Sequence, residues 1–495
     1  MSMTNLELKD TRPAGAAPGA SEGLTSTRHI AQVIGVLVVS ALIMILNETV
    51  LSVALPQLMG DFSVSAATVQ WLTTGFMLTM AVVIPTTGFL LQRFSTRTLF
   101  TAAMILFIAG TALAAAAPGF EIMLLARVVQ AGGTAVILPL LMTTTITTVP
   151  VAHRGTVMGL NSVVISVAPA IGPTVSGIIV DSMSWRWLFG LMLPATIVAF
   201  AAGLLLLRNT GRTRKAPLDV VSVVLSVFAF GGLVYGLANV ASLLDGTIVG
   251  PATALIVGVV ALGLFVARQK RLERTGTALL DLNPFEVPHF RISVVIVVIA
   301  MATMLGTVVV LPIYLQAGLG VSILTTGLIL LPGGLVQGVI SPIVGRIYDA
   351  VGPRPIVTPG ALLLAAGQWW LSTVGTDTSI GLVIAMHVVF CIGMAMLMTP
   401  LMTVSLGALP PRLYGHGSGI MNTLQQLAGA AGTALLVAAL TIGADAAAGS
   451  GTAEAQASGA QTAFVLGGVL ALIAVVAAPF VRRLPPPQLE QVTHA

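Results

Sequence analysis

The chain has 495 residues, of which 56% are hydrophobic and only 8% are charged. A soluble protein carries about a quarter of its residues as Asp, Glu, Lys or Arg, so 17 acidic and 22 basic residues cannot cover a water-facing surface of this size. The composition therefore excludes both a soluble multidomain enzyme and a disordered chain. The single cysteine, Cys391, excludes an internal disulfide and a cysteine-rich metal site.

Apolar stretches of membrane-spanning length follow one another along most of the chain. They predict an all-α integral membrane protein rather than a β-barrel. Residues 1–29 are polar and rich in Ala, Gly, Pro and Ser, and we interpret them as a disordered tail before a retained first helix. The fourteen predicted transmembrane helices, numbered 1 to 14, have approximate limits of 30–55, 68–90, 98–117, 121–148, 155–180, 187–207, 219–239, 249–267, 291–316, 324–345, 355–374, 379–405, 415–443 and 461–481.

Lys and Arg residues are distributed unequally between the two sets of loops. If the N-terminus is inside, all but two of the 22 fall in inner segments. The exceptions are Arg186, in an outer loop, and Arg127, within helix 4. Outer loops carry acidic residues instead, such as Asp61 and Asp377. Because Lys and Arg mark cytoplasmic loops, we expect a multi-pass protein of the cell membrane with both termini cytoplasmic.

No hydrophilic segment is long enough for a soluble domain, and no Gly-x-x-x-x-Gly-Lys-Ser/Thr loop for a nucleotide is present. Any work that the protein does must then draw on a gradient, and we expect neither a cofactor nor a metal. A membrane enzyme would need a cluster of His, Asp or Ser near one membrane face, and the sequence offers none. The basic loops 208–215 and 268–274 are interpreted as topology determinants that contact lipid headgroups, not nucleic acid.

A short loop motif occurs after helix 2 and again after helix 10. The copies are residues 88–97 and 345–354, and each has Gly first, a polar or acidic residue four positions later and Arg nine positions later. Taken alone, either copy fits an ordinary positively charged inner loop as well as it fits a specific motif. Two copies at matching places indicate duplication, which predicts two pseudo-symmetric six-helix bundles with helices 7 and 8 inserted. The predicted domains are the tail 1–29, the bundle 30–207, the linker with two extra helices 208–290, the bundle 291–481 and the tail 482–495.

This arrangement resembles the major facilitator superfamily, and the two inserted helices resemble its fourteen-helix drug:proton antiporter branch. Further motifs agree: residues 46–56 resemble the first-helix signature, 127–133 the fourth-helix Arg motif, 168–177 the fifth-helix antiporter motif and 185–189 the segment entering helix 6. The stretches Leu-Asn-Glu-Thr and Gln-Trp-Leu-Thr-Thr look most like lincosamide-type antibiotic exporters. The resemblance covers residues 30–480 and implies a secondary transporter, not an enzyme, that exports amphipathic drugs in exchange for protons.

Three motifs depart from the pattern of that branch. Asn47 stands where the first-helix signature usually has Asp, with Glu48 beside it. The first inner loop has Gln92 where Asp is usual and Ser95 where Gly is usual, and Ser176 replaces a Gly of the antiporter motif. The first departure bears on the geometry of the proton site, and the second bears on the gating role that the resemblance implies for the loop.

Glu48 and Arg127 are the two charged residues predicted well inside helices. With a rise of about 1.5 Å per residue, both lie roughly 10 Å below the outer surface, so a contact is permitted if their helices face one cavity. A charge at mid-helix costs about 2.5–3.5 kcal/mol on insertion. The pair is either a static ion pair or, as we favour, a proton switch that includes Asn47 and Gln130. In the switch, Glu48 takes a proton from outside and releases it inside as the bundles rock.

The remaining candidates form two sets. The substrate cavity between the bundles is expected to include Trp71, Tyr314, Met394, Met398, Asn422, Gln425 and Gln426, for which core packing, an interface belt and interhelical hydrogen bonds are the alternatives. The gating and antiporter set is Pro169, Gly172, Pro173, Gly177, Arg93, Arg97, Asp349 and Arg354, for which generic small-residue packing and ordinary inner loops are the alternatives. His387 is interpreted as a packed residue rather than a second proton carrier.

The expected partners are protons, a small amphipathic substrate and membrane lipid, and the expected state is a monomer. The second half lacks an obvious buried carboxylate, so neutral or singly charged compounds fit better than dications. Two other functions stay open at this point: an uptake symporter of the same fold, and an exporter of an endogenous lipid or metabolite.

Overall fold

A computed structural model describes residues 27–207, 219–240, 249–447, 449 and 451–482. Within these residues all regular secondary structure is helical and no strand forms. The long helices are α1 Thr27–Phe62, α2 Trp71–Arg93, α3 Thr96–Ala115, α4 Phe120–Thr148, α5 Arg154–Ser182, α6 Arg186–Leu206, α7 Val220–Ala238, α8 Val249–Glu273, α9 Pro288–Gly318, α10 Ile323–Val351, α11 Arg354–Leu371, α12 Ile380–Gly407, α13 Tyr414–Ala446 and α14 Thr452–Ala477.

Each predicted stretch is helical over most of its length, and the described residues hold twelve helices that are long and apolar enough to cross a membrane. Helix α5 adds a thirteenth if its parts Val151–Pro169 and Thr174–Ser182 are counted as one span. Helix α11, with 18 residues, is not among them. Helix α1 begins at Thr27, three residues before the limit predicted from the polar tail. The rest of that tail, the basic loop 208–215 and the tail from residue 483 lie outside the described residues.

Two tight turns follow from the repeated loop motif. Ser95 caps α3, because its side chain accepts a hydrogen bond from the backbone N–H of Thr98. Gly352 ends α10 at a φ of +84°, a conformation that favours glycine, and Pro353 precedes α11 directly. Each turn therefore joins two helices at the same end of the molecule, which we call the predicted cytoplasmic end.

Helices α1 to α6 pack mainly against one another, and so do α9 to α14. The two groups meet mainly along α5 with α10 and along α2 with α13. Helix α7 lies against both α2 and α13, and α8 packs on α7. The α7–α8 pair therefore covers the contact between α2 and α13.

Glycines bring the two groups together at the predicted cytoplasmic end. A Cβ atom at Gly345 of α10 would overlap the carbonyl oxygen of Gly155 in α5, and one at Gly159 would overlap the carbonyl oxygen of Ser341. A Cβ atom at Gly88 of α2 would lie 2.7 Å from Nδ1 of His416 in α13. The helices thus touch backbone to backbone at this end, which only small residues permit.

Candidate functional site

Arg127 of α4 is completely buried and is held by neutral groups. Its Nη1 donates hydrogen bonds to Asn47 Oδ1 at 2.8 Å and to Gln130 Oε1 at 3.0 Å. Its Nε donates to the carbonyl oxygen of Leu72 at 3.3 Å, and its guanidinium carbon lies 4.1 Å from the centroid of the Phe76 ring. Within the described residues Nη2 has no hydrogen-bond partner. The guanidinium, which stays charged in proteins, is therefore fixed without a neutralising carboxylate.

The partners of Arg127 are themselves fixed. Gln130 Nε2 donates to Thr111 Oγ1 at 3.0 Å, and Thr111 donates to the carbonyl oxygen of Phe107 at 2.7 Å. Asn47 Nδ2 lies 3.3 Å from the sulfur of Met192. In Asn47 and Gln130 the side-chain oxygen accepts from Arg127 and the side-chain nitrogen contacts another residue, so the orientation of each amide is fixed. The network therefore joins α1, α3, α4 and α6.

Glu48 follows Asn47 on α1 but lies outside this network. Its side chain is partly exposed, and among the described residues its carboxylate forms neither a hydrogen bond nor an ion pair within 4.0 Å. Successive residues of a helix point about 100° apart, so the rotation that aims Asn47 at Arg127 turns Glu48 to another side. The static ion pair considered from the sequence is therefore absent, and Asn47 takes the position beside Arg127.

The antiporter motif of α5 packs against α1 next to Glu48. A Cβ atom at Gly172 would overlap Thr49 Oγ1, and that hydroxyl also lies 3.4 Å from the carbonyl oxygen of Ala168. Ser176, one helical turn further along, is completely buried, and its hydroxyl has no partner in the described part of the chain. The ridge of small residues thus brings two backbones together at the level of the carboxylate. Of the other motif residues, Pro169 and Gly177 are partly exposed, and the side chain of Pro173 lies outside the described residues.

Asp349, in the second copy of the loop motif, closes the predicted cytoplasmic end. Its Oδ1 accepts from Gly155 N at 2.7 Å, and its Oδ2 accepts from Thr156 N at 2.8 Å and from Thr156 Oγ1 at 2.7 Å. These amides begin α5, where helical N–H groups lack intrahelical acceptors and the helix dipole favours an anion. In the first copy, Gln92 Nε2 donates to the carbonyl oxygen of Arg412 at 3.1 Å, just before α13. Both copies therefore bind the start of a helix from the other group.

The three arginines predicted for gating are exposed. Arg97 Nη2 donates to the carbonyl oxygen of Leu204 at 2.8 Å, which joins α3 to the end of α6. The guanidinium of Arg93 lies 5.9 Å from the ring of Phe89. Arg354 begins α11. Of these three, Arg97 joins the ends of two helices, whereas the ring contact of Arg93 lies within α2.

The two aromatic residues predicted for the substrate cavity lie apart from each other. Trp71 is 40% exposed and stacks on Tyr235 of α7 with ring centroids 5.7 Å apart. Tyr314 is completely buried, and its hydroxyl donates to the carbonyl oxygen of Gly375 at 2.7 Å. In this conformation Tyr314 is a packing residue, whereas Trp71 is accessible.

The other substrate candidates lie on α12 and α13. Met394 and Met398 are buried in the core around α12. Asn422 Nδ2 donates to the carbonyl oxygen of Ser418 at 2.9 Å, whereas Gln425 is buried and Gln426 is partly exposed. The structure therefore brings Asn47, Arg127 and Gln130 together, leaves Glu48 outside their hydrogen-bond network, and distributes the substrate candidates over several helices.

His387 on α12 is buried, as expected for a packed residue. Its Nε2 lies 3.6 Å from Cys391 Sγ, and its Nδ1 has no partner in the described residues. Within that part of the chain no group of three or more His, Cys, Asp or Glu side chains is arranged to hold a metal ion.

Sequence reasoning missed several residues of the site. Phe76 and Thr111 complete the surroundings of Arg127, but an isolated aromatic or hydroxyl residue in an apolar helix gives no signal. Gly155 and Gly159 were detectable, because their spacing of four places them on one helix face.

The sequence pattern of the Major Facilitator Superfamily matches residues 37–433. The chain belongs to the major facilitator superfamily. Lincomycin resistance protein LmrB of Listeria monocytogenes is 40% identical over 447 residues, which cover 88% of this chain and 93% of that protein. LmrB of Bacillus subtilis is 39% identical over 463 residues, which cover 90% and 95%. The structure of the proton:xylose symporter XylE matches with a TM-score of 0.65 at 14% identity, over 92% of this chain and 96% of XylE.

Membership confirms the family resemblance found in the sequence motifs. This major facilitator superfamily protein is a secondary transporter, not an enzyme, and a multi-pass protein of the cell membrane.

Proposed function

We propose that this transporter exports amphipathic drugs or antibiotics in exchange for protons by alternating access. The observation that carries the proposal is the division of roles at the Arg127 site. Neutral Asn47 and Gln130 hold the guanidinium at 2.8 and 3.0 Å, while the Glu48 carboxylate has no fixed partner among the residues that the structure describes. Such a carboxylate binds and releases a proton without breaking the hydrogen-bond network beside it.

The fourteen helices α1 to α14 all cross the membrane in this proposal, with both termini in the cytoplasm. Helices α1–α6 and α9–α14 are the two moving halves, and α7 and α8 are inserted between them. The packing of each group on itself and the concentration of Lys and Arg in one set of loops support this arrangement.

Alternating access requires the predicted cytoplasmic end to open and close. The three hydrogen bonds to Asp349 and the contact of Gly155 with Gly345 support a closed state of this end. Protonation of Glu48 from outside would bias the halves toward opening inward, and release of the proton inside would reset them. One proton that crosses about 100 mV supplies about 2.3 kcal/mol, which is comparable with the loss of a charged hydrogen bond.

The substrate path runs between the halves, lined by Trp71 on α2 and by Asn422, Gln425 and Gln426 on α13. Met394 and Met398 join it when the halves rearrange, since flexible thioethers fit varied apolar surfaces. Similarity to the lincomycin resistance proteins supports an antibiotic as cargo. The path offers amides rather than a second carboxylate, so neutral and singly charged compounds are the expected substrates.

The test is uptake into inverted membrane vesicles with an acidic lumen, for lincomycin and a panel of amphipathic compounds. The wild type and the control Glu121→Gln, at an exposed outer position of α4, should accumulate substrate against its gradient. Glu48→Gln should lose accumulation yet still equilibrate substrate, because the cavity remains. Full accumulation by Glu48→Gln would remove Glu48 from the mechanism. Substrate movement in the direction of the proton would show a symporter instead.

A further inference from the structure

The segment 274–287, which returns from α8 to α9, is fixed to the α7–α8 pair through its backbone. The amide of Leu280 donates to Gln269 Oε1 at 3.2 Å, and the amide of Leu282 donates to Glu273 Oε1 at 2.6 Å. Both acceptors belong to the last turns of α8. The side chains of Leu279 and Leu280 are buried, so this returning segment is part of the packed molecule rather than a loose loop.

The backbone amide of Asp281, which lies between those of Leu280 and Leu282, is bound by helix α13. Asp281 N donates to His416 Nδ1 of α13 at 3.2 Å. His416 is buried and lies against Gly88, at the point where α2 crosses α13. Since Nδ1 accepts this hydrogen bond, the ring carries its hydrogen on Nε2. His416 is thus the side chain through which the returning segment is attached to α13.

The polar connection continues to the start of α7. Gln269 Nε2 donates to Ser222 Oγ at 2.7 Å, and Ser222 donates to Asp219 Oδ2 at 2.5 Å. Arg268 donates two hydrogen bonds of 2.7 and 2.8 Å to the same carboxylate. The Arg268 guanidinium lowers the pKa of Asp219 to about 2, so this carboxylate stays ionised at physiological pH. One series of hydrogen bonds therefore joins the start of α7, the end of α8, the returning segment and α13.

The contact of the α7–α8 pair with α2 has a different chemistry. A Cβ atom at Gly231 would lie 3.5 Å from Leu78 Cδ1 and 3.7 Å from Val82 Cγ2. The outer end of the contact is the stack of Trp71 on Tyr235. Among the described residues no hydrogen bond joins α2 to α7 or α8. Apolar contacts have no fixed direction, so this face can slide, whereas the partly buried Asp281 amide loses a hydrogen bond if it leaves its acceptor.

We propose that His416 is a positioning residue that ties the α7–α8 pair to the half containing α13. The pair then moves with that half and slides along α2 whenever the predicted cytoplasmic end opens. The inference rests on alternating access as proposed above. It assigns α7 and α8 a mechanical role. They cover the contact between α2 and α13 while that contact opens and closes.

Two matched cysteine pairs in a Cys391→Ser background test the motion. Leu280→Cys with Gly419→Cys joins the returning segment to α13, and Leu78→Cys with Gly231→Cys joins α2 to α7. In both pairs a Cβ atom at the glycine would lie 3.5 Å from the leucine Cδ1, without overlap. Oxidation of the first pair should leave proton-driven uptake unchanged, and oxidation of the second should stop it until a reductant is added. Equal inhibition by both pairs, or inhibition by the first alone, overturns the proposal.

The role of His416 has its own test. His416→Leu removes the acceptor for the Asp281 amide and should slow formation of the Leu280→Cys, Gly419→Cys disulfide about tenfold, the equivalent of one buried hydrogen bond. It should also reduce uptake, whereas His416→Gln, which offers an acceptor oxygen, should retain much of it. Oxidation of the first cysteine pair should restore uptake to His416→Leu, which a mere packing role against Gly88 would not allow. An unchanged disulfide rate, or no rescue in a folded protein, overturns the tie.

Failure of the proposed function has a different signature. If the Cys391→Ser parent transports no compound in response to a proton gradient, antiport is wrong. The disulfide rate still reports on His416 in that case, because it needs no transport.

Discussion

Arg127 carries a permanent positive charge inside the helix bundle, and every hydrogen bond that it makes goes to a neutral oxygen. Had Asp stood at position 47, a carboxylate would occupy the place of Asn47 Oδ1, and its protonation would disturb the contact with Arg127. With Asn47 there, the structural contact is independent of pH. In the proposed mechanism the titratable group is the neighbouring Glu48, which acts on Arg127 through charge rather than through a bond.

The charged residues of this site could be identified from the sequence, but their side-chain directions could not. The sequence identified Glu48 and Arg127 because charged residues stand out in an apolar helix. Which of two adjacent residues faces Arg127 depends on the rotation of α1, and that rotation is set by packing of Thr49 on α5 and of Asn47 on Met192. These contacts join residues more than a hundred positions apart, so no local pattern reports them.

Removal of a neutral partner of Arg127 should destabilise the protein. Gln130→Met keeps the volume but deletes the oxygen 3.0 Å from Nη1 and the donor to Thr111. A hydrogen bond to a charged group contributes about 1.5–3 kcal/mol, so we expect a loss of about 2 kcal/mol in the free energy of unfolding. Unfolding of purified protein in detergent measures it, with Gln316→Met at an exposed position as the control. Equal stability of the two variants would contradict this account of the Arg127 site.

Asp349 offers a second prediction at the scale of one residue. In Asp349→Asn one acceptor oxygen becomes an NH₂ group, so an amide at the start of α5 loses its partner. The closed state should weaken, and a thiol-reactive, membrane-impermeant reagent on the cytoplasmic side should label Ser341→Cys about tenfold faster. Asp181→Asn, an exposed substitution away from this end, is the matched control. Unchanged labelling would show that Asp349 does not hold the gate.

Helices are the scale at which the sequence was most informative, because long apolar stretches and short Gly, Pro and Ser turns mark them directly. Their ends were less predictable. The first helix was expected to stop near Pro56, since proline breaks helices in water, but α1 continues through Pro56 to Phe62. In a membrane protein neighbouring helices satisfy the carbonyl that a proline leaves free, and here α4 and α6 pack beside it. A local proline rule therefore fails where tertiary packing supports the helix.

The contact of α5 with α10 gives a prediction for two whole helices. Gly345→Ala places a methyl group against the carbonyl oxygen of Gly155, so the helices cannot approach at the predicted cytoplasmic end. Each helix tolerates alanine, hence we expect the protein to fold and insert but to lose nearly all accumulation of substrate. Gly263→Ala in α8 is the matched control, because no atom lies within 4 Å of its new Cβ. Wild-type transport by Gly345→Ala would mean that closure does not depend on this contact.

The two groups of helices and the inserted pair form the largest unit, and their arrangement was predicted from a repeat rather than from packing. Two copies of one loop motif implied two related halves, and both copies do bind the other group, through Asp349 and through Gln92. The attachment of α7 and α8 was not predictable. It depends on Asp281 reaching His416 across 135 positions, and neither residue forms a recognisable motif.

The number of crossings is the property of the whole molecule on which the orientation of every later helix depends. Helix α11 is the shortest of the spans that we propose, and if it did not cross, α12 and all that follows would be inverted. In a Cys391→Ser background, Asp377→Cys between α11 and α12 should react with an impermeant thiol reagent only from outside the cell. Thr275→Cys, after α8, should react only from the cytoplasmic side, because α7 and α8 cross as a pair. Labelling of Asp377→Cys from the cytoplasm would leave thirteen crossings, and the C-terminus would then lie outside.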